Sequence, residues 1–181
     1  TGLPKNYNAP SSDLENWSPR LVQLGWIMQN ERKEILSMGK FIIKPEGFEI
    51  PKESSDVHGI TTERALAEGE DLKKIVYMFL GAARLADVII GHNISYDMHI
   101  MGAEMIRTWG QDYIENRPTI CTMQSSIDFC KIPGKYGFKY PKLQELHKKL
   151  FNSEFEDAHD AFADITATAA CFWEMKKQGI I

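Results

Sequence analysis

Two aspartates and one histidine have the types and positions that hydrolytic chemistry requires: Asp97, Asp164 and His159. Asp97 shares the apolar stripe of a predicted helix with Met101 and Met105, and Asp164 lies on the inward stripe of a long Ala- and Thr-rich helix. An ionised carboxylate on such a stripe needs a cation, a hydrogen-bond network or a raised pKa to compensate for lost hydration. The alternative is that both are helix N-terminal acids stabilised by backbone N–H groups, with His159 a surface residue.

Carboxylates that converge from distant parts of a chain suit a hard divalent cation. Oxygen ligands favour Mg²⁺ or Mn²⁺ over zinc, and the sequence holds no cysteine-histidine cluster that would compete. With a histidine nearby to remove a proton from water, such a site suits phosphodiester hydrolysis. Two divalent ions carry four positive charges, so Asp97 and Asp164 cannot hold such a pair alone.

Strand-like and helix-like segments both occur along the chain. A strand buried on both faces directly precedes Asp97, and the carboxyl ends of such strands are where open α/β sheets bind ligands. The predicted strands are 21–28 and 35–44, forming a hairpin, then 87–91 and 118–123. The predicted helices are 62–69, 71–85, 97–109, 125–131 and 143–151, followed by one long helix that includes Ala161 and Asp164 and ends at Gly179.

Between two of these helices, a loop at 133–142 interleaves lysines with aromatic residues. Side chains of these types stack on bases and contact phosphates, while an ordinary surface loop is the alternative interpretation. They are Lys135, Tyr136, Phe138, Lys139, Tyr140 and Lys142.

Composition narrows the class of protein. The length of 181 residues suits one domain, and the net charge of -4 argues against a protein that coats nucleic acid by bulk electrostatics. Three cysteines without a CxxC pair argue against a disulfide framework, so we expect buried thiols. Without an apolar run long enough to span a membrane, or a leader, we expect a cytoplasmic protein with no membrane partner.

Several segments, taken in order and spacing, resemble the DEDDh group of 3'-to-5' exonucleases. This DnaQ-like group includes the epsilon subunit of bacterial DNA polymerase III, ribonuclease T and oligoribonuclease. The resemblance implies a ribonuclease H-like α/β fold in a single domain, 1–181, with a mixed sheet of about five strands flanked by helices on both faces. The segments that carry it are Thr1-Gly2-Leu3-Pro4, His58-Gly59-Ile60-Thr61, Gly91-His92-Asn93 with Asp97, residues 143–151, and His159 with Asp164.

The resemblance also implies the catalytic roles. Asp97 and Asp164 would be metal ligands for two Mg²⁺ or Mn²⁺ ions, and His159 would be the general base. Asn93 would assist near Asp97.

For substrate binding, the same resemblance implies a pocket for the terminal nucleotide. The segment with His58 and Ile60 would line it, and Thr1, Gly2 and Leu3 would meet the last base.

The implied function is hydrolysis of 3'-terminal phosphodiesters of DNA or RNA to release nucleoside monophosphates, with an epsilon-like polymerase-associated enzyme as the model. The partners would be single-stranded 3' ends and, as a candidate, a DNA polymerase. One rival is a non-catalytic nucleic-acid-binding or polymerase-associated module on the same fold. Another is an endonuclease or other phosphohydrolase.

One departure from the group is large. Its first motif, Asp-x-Glu at the end of a central strand, would precede residue 1, so we expect an N-terminally truncated domain. Without that strand and its acids we would expect an inactive, poorly stable protein with exposed strand edges. The acids with no matching context to replace them are Asp56, Asp128, Asp157 and Asp160.

Overall fold

The structure, a computed structural model, describes residues 1–155 and 161–181. These residues form two compact units. The first contains Thr1–Asp87 and Tyr96–Arg117, and the second contains Val88–Ser95 and Pro118–Ile181. Each unit is described by itself below.

Strands and helices both occur, as the sequence predicts. The strands are β1 (Gln23–Gln29), β2 (Ile35–Ile42), β3 (Ile89–Gly91), β4 (Thr119–Cys121), β5 (Pro133–Gly134) and β6 (Gly137–Phe138). The helices are α1 (Lys52–His58), α2 (Thr62–Glu68), α3 (Leu72–Leu85), α4 (Ile94–Trp109), α5 (Thr122–Ser125), α6 (Ile127–Cys130), α7 (Leu143–Phe151) and α8 (Ala161–Lys177). None of the described helices is long and apolar enough to cross a membrane.

In the first unit, β1 and β2 pair antiparallel, which confirms the predicted hairpin. Asn30 closes the connection because its side-chain oxygen accepts hydrogen bonds from the backbone N–H groups of Arg32 and Glu34, both at 3.0 Å. Helix α2 begins after Thr61, whose hydroxyl caps it by accepting a hydrogen bond from the Arg64 backbone N–H. The main core of the unit joins this hairpin to α3 and α4 through Leu24, Trp26, Ile43, Ile75, Val76, Leu80, Met101, Met105 and Ile114.

A buried ion pair ties α4 to the segment before β1. Glu104 is 1% exposed, and its carboxylate accepts hydrogen bonds from Arg20 Nε at 2.7 Å and from the Leu21 backbone N–H at 3.0 Å. Arg107 Nη1 lies 3.5 Å from the same oxygen. The Arg20 guanidinium also lies over the ring of Phe48, 4.6 Å from its centroid. The sequence analysis did not predict this network.

In the second unit, β3 pairs parallel with β4, and α8 packs against β3 and α7. The predicted inward stripe of α8 is confirmed, since Thr168, Cys171, Phe172 and Met175 are buried. Cys130 and Cys171 lie in the core cluster of this unit with Leu146 and Met175, and Cys121 is half-buried. The expectation of buried thiols is therefore confirmed for two of the three cysteines.

The expectation of one mixed sheet of about five strands is not met. The described residues form three separate two-stranded sheets, β1-β2, β3-β4 and β5-β6. The physical reason is that, among the described strands, β1 and β2 are hydrogen-bonded only to each other, and β3 and β4 are only three residues long. A wider sheet would need a further strand to bond to these edges.

Candidate active site

The turn between β3 and α4 places Asp97. Asn93 has a φ of 71°, in the left-handed region that asparagine tolerates better than most residues, and α4 begins at the next residue. At the end of β3, a Cβ on Gly91 would lie 2.7 Å from the Ile94 Cδ1 atom and 3.0 Å from its Cβ, so a larger residue here would force the Ile94 side chain to shift. The sharp turn puts Asp97 in the first turn of the helix, as predicted.

Asp97 combines an exposed side chain with a strongly perturbed pKa. Met101 and Met105 on the same stripe are buried, whereas Asp97 itself is open to solvent. Protein packed around the carboxylate still disfavours its ionised form and raises its pKa from 3.8 to about 7, against the hydrogen bond from its own backbone N–H. Asp97 is therefore reachable from solvent and short of compensating positive charge.

The first residues of the chain are held in place beside this helix. The Tyr96 hydroxyl donates to the Gly2 carbonyl at 2.7 Å, and the backbone N–H of Arg20 donates to the Thr1 hydroxyl at 2.7 Å. Desolvation, and then the charge of Asp97, raise the pKa of Tyr96 to about 12, so the hydroxyl remains a donor. Leu3 is 73% exposed. Among the predicted site residues, Gly2 is thus brought next to the first turn of α4.

His58 and Ile60 have different surroundings. Helix α1 ends at His58, whose Nδ1 accepts a hydrogen bond from the Ile60 backbone N–H at 3.2 Å. In the neutral ring, Nε2 then carries the proton, and this buried atom has no hydrogen-bond partner among the described residues. Desolvation lowers the pKa of His58, which favours that neutral form. Ile60 is 2% exposed and packs in a small core cluster with Val22, Ile50 and Ala65.

His92 lies beside Asn93 and fixes its surroundings. Its Nε2 donates to the Pro141 carbonyl at 2.9 Å, and its Nδ1 lies 3.1 Å from the Thr122 hydroxyl, whose single O–H donates either to this Nδ1 or to the Gly91 carbonyl at 3.2 Å. Desolvation lowers the pKa of His92. The imidazole is therefore a structural tie at the end of β3. Sequence reasoning placed His92 in a motif but gave it no role.

Asp164 lies in the first turn of α8 and is half-buried. His159 lies outside the described residues, as do Asp157 and Asp160, so the role of His159 as general base stays a prediction. The described residues contain no group of three or more His, Cys, Asp or Glu side chains that could hold a metal ion.

A comparison with known protein families identifies the family of this chain. A family model described as an exonuclease, of the ribonuclease T type, matches residues 14–172. The chain belongs to this exonuclease family. The resemblance to DEDD-type exonucleases predicted from the motifs is confirmed. No curated protein matches the sequence.

Solved structures show the fold of the exonuclease domain. Escherichia coli exonuclease I in complex with a dT13 oligonucleotide superposes with a TM-score of 0.71 at 20% identity, over 87% of this chain and 37% of that one. The zinc-bound complex of E. coli exonuclease I with single-stranded DNA superposes with a TM-score of 0.73 at 20% identity. The match covers 88% of this chain and 37% of that one. The chain thus spans about 37% of the length of these structures. The fold is ribonuclease H-like α/β.

The carboxylates of the exonuclease domain fit a divalent cation. Asp97 offers exposed oxygen atoms, and a pKa of about 7 means that positive charge nearby would favour its ionised form. Asp164 offers a second carboxylate at a helix start that is only partly exposed. Oxygen donors of this kind suit Mg²⁺ and Mn²⁺.

This pKa gives the exonuclease domain a pH-dependent stability that Asp97→Asn should remove. Because folding raises the pKa from 3.8 to about 7, the native state holds the proton more tightly. The stabilisation is complete below about pH 3.8 and is lost as the pH rises through about 7. We expect the unfolding free energy, measured by urea titration in chelator at pH 5 and pH 8, to fall more for the wild type than for Asp97→Asn. Because the Asp97 side chain is exposed, we expect this difference between the two proteins to be small. An unfolding free energy with the same pH dependence in both proteins would contradict the raised pKa of Asp97.

Proposed function

We propose that this domain is a metal-dependent 3'-to-5' exonuclease that releases nucleoside monophosphates from single-stranded ends. The observation that carries the proposal is the first turn of α4. There Asp97 is exposed with a pKa of about 7, and its neighbour Tyr96 holds Gly2, next to the exposed Leu3. An acid in need of a cation lies beside a segment that can meet a base. The family match supports hydrolysis as the chemistry.

Asp97 and Asp164 would hold the metal ions, Mg²⁺ or Mn²⁺. Bound there, the ions would neutralise phosphate charge and activate water. Two ions need more negative charge than two aspartates supply, so we propose that acids beyond the described residues complete the set.

Other residues of the chain bind and orient the substrate in this proposal. His58 would line the pocket of the terminal nucleotide, and Leu3 offers an exposed apolar side chain for the last base. The buried Ile60 would act by fixing the backbone next to His58. Asn93 would support the turn before Asp97, and His159 would take the proton from water.

Single-stranded DNA is the substrate that we favour. The exonuclease I structures that share this fold hold dT13 or single-stranded DNA. An epsilon-like association with a DNA polymerase is a further part of the proposal. Free thiols at all three cysteines suit a reducing compartment, so we propose a cytoplasmic location.

The proposal is tested with a 5'-labelled single-stranded oligonucleotide, incubated with the purified protein and Mn²⁺ and resolved as a ladder. A ladder that shortens from the 3' end, and that chelator abolishes, is the expected result. Internal fragments would indicate an endonuclease. Binding of the oligonucleotide without any metal-dependent release of monophosphates would indicate a binding module.

A further inference from the structure

A short hairpin in the second unit has a charge opposite to that of the chain. The basic hairpin, residues 131–142, comprises β5, β6 and their flanks and contains four lysines without an acid, in a chain of net charge -4. Its strands pair Pro133 with Phe138 and Gly134 with Gly137, and Gly137 has a φ of 121° that favours glycine. The Lys139 N–H closes the ladder by donating to the Ile132 carbonyl at 2.9 Å. The described fold therefore presents a defined two-stranded element at this place.

The tip of the basic hairpin exposes large aromatic rings to water. Tyr136 is 91% exposed, Tyr140 57% and Phe138 50%. The Lys135 Nζ lies 5.1 Å from the centroid of the Tyr136 ring, so a cation and a ring are presented together. Exposed aromatic rings grouped with lysines are the combination that binds single-stranded nucleic acid, because rings stack on bases and lysines attract phosphates.

The base of the basic hairpin is fixed. Glu145 accepts hydrogen bonds from Lys139 Nζ at 2.6 Å and from the Lys142 N–H at 2.7 Å, so it neutralises Lys139. The charges of Lys131, Lys135 and Lys142 lie on exposed side chains. The Pro141 carbonyl accepts from His92, the neighbour of Asn93. A fixed base with an exposed tip suits a docking element.

We propose that the basic hairpin binds the body of a single-stranded nucleic acid whose 3' end is degraded by the exonuclease domain. The proposal rests on the proposed function and adds a second contact on the same strand. Tyr136 lies five residues from Pro141, so the tip reaches at most about 20 Å from the base. A strand of twelve nucleotides is long enough to span this distance, whereas a dinucleotide is shorter than it. The hairpin contact should therefore matter for long strands and not for dinucleotides.

The test compares two double variants of the 181-residue chain. Lys135→Ala with Tyr136→Ala removes the tip, and Lys73→Ala with Tyr77→Ala removes a matched exposed lysine and tyrosine one turn apart on α3. Binding of 5'-fluorescein-labelled dT12 and dT2 is measured by fluorescence anisotropy in chelator, so that nothing is degraded. Circular dichroism confirms that both variants are folded.

We expect the tip variant to bind dT12 about tenfold more weakly, as the loss of one stacked base predicts, and the α3 variant to bind within twofold of wild type. The slope of log affinity against log salt should fall by about 0.7 in the tip variant, because one lysine is lost. Affinity for dT2 should not change. Equal binding of dT12 by wild type and tip variant would overturn the hairpin contact and leave the proposed function standing. Failure of the wild type to bind dT12 at all would overturn the hairpin contact, whereas the proposed function is tested separately by the metal-dependent ladder.

Discussion

Asp164→Ala and Asp97→Ala should each slow the release of 3'-terminal nucleotides by about a thousandfold or more in the active protein. Each change removes a carboxylate that would hold a divalent cation, and metal-ion stabilisation of transition-state charge is worth several kcal/mol, with about 1.4 kcal/mol for each factor of ten. Single-turnover assays with saturating oligonucleotide measure the loss in the chemical step. Circular dichroism should show both variants folded.

Matched surface aspartates provide the controls. Asp56 on α1 is exposed and pairs with Lys52 at 2.7 Å, and Asp128 on α6 is exposed. Asp56→Ala and Asp128→Ala should release nucleotides at nearly the wild-type rate. Both proteins should stay folded, because exposed ion pairs contribute at most about 1 kcal/mol to stability. The metal-free Asp97→Ala protein should be at least as stable as wild type at pH 8, because the protein packed around this carboxylate disfavours its ionised form. Near-normal cleavage by either Asp97→Ala or Asp164→Ala would refute the proposed metal site.

Glu104→Ala should lower the free energy of unfolding by about 3–5 kcal/mol. The change leaves the Arg20 guanidinium and the Leu21 N–H without their acceptor inside the protein, and breaking a buried ion pair from one side has this cost. Domains of this size are stable by only about 5–15 kcal/mol, so the variant should unfold at much lower urea concentration. Urea titration followed by tryptophan fluorescence measures the difference.

Two further variants distinguish the effect of breaking the buried ion pair from the effect of losing a negative charge in general. Glu104→Gln keeps an acceptor oxygen and should lose less stability than Glu104→Ala. Glu68→Ala on α2 removes an exposed partner of Arg64 at 3.0 Å and should cost less than about 1 kcal/mol. If Glu104→Ala lost no more than Glu68→Ala, the buried network would have no role in stability.

Helices and strands in which apolar residues recur at a regular spacing were predicted from the sequence, because that spacing can be seen within a single segment. The hairpin β1-β2 and the helices α3, α4, α7 and α8 were found in this way. Helix α1 was missed because it buries no side chain and so has no apolar stripe. The strands β5 and β6 were predicted as loop because two residues are too few to show alternation.

The predicted site was reached through a different signal, a carboxylate on an apolar stripe. It led to the prediction of Asp97 and Asp164, whereas the hydrogen bond from Tyr96 to Gly2 joins residues 94 positions apart and leaves no local pattern. Glu104 was missed for the same reason, because its partner Arg20 is 84 positions away and a helical glutamate is usually solvated. The five-stranded sheet came from the resemblance alone, and the described strands do not form it.

Glu104 and Asp97 stand seven residues apart on α4, which is about 10.5 Å along the helix axis. Continuous backbone hydrogen bonds make that spacing stiff, so an ion pair two turns along α4 helps to set where the Asp97 carboxylate lies. For protein engineering, this means that Arg20 and Glu104 should be changed together or left unchanged. We expect that exchanging both for apolar residues of similar volume would preserve the anchor of α4, while exchanging either one alone would shift Asp97, the proposed metal ligand two turns away.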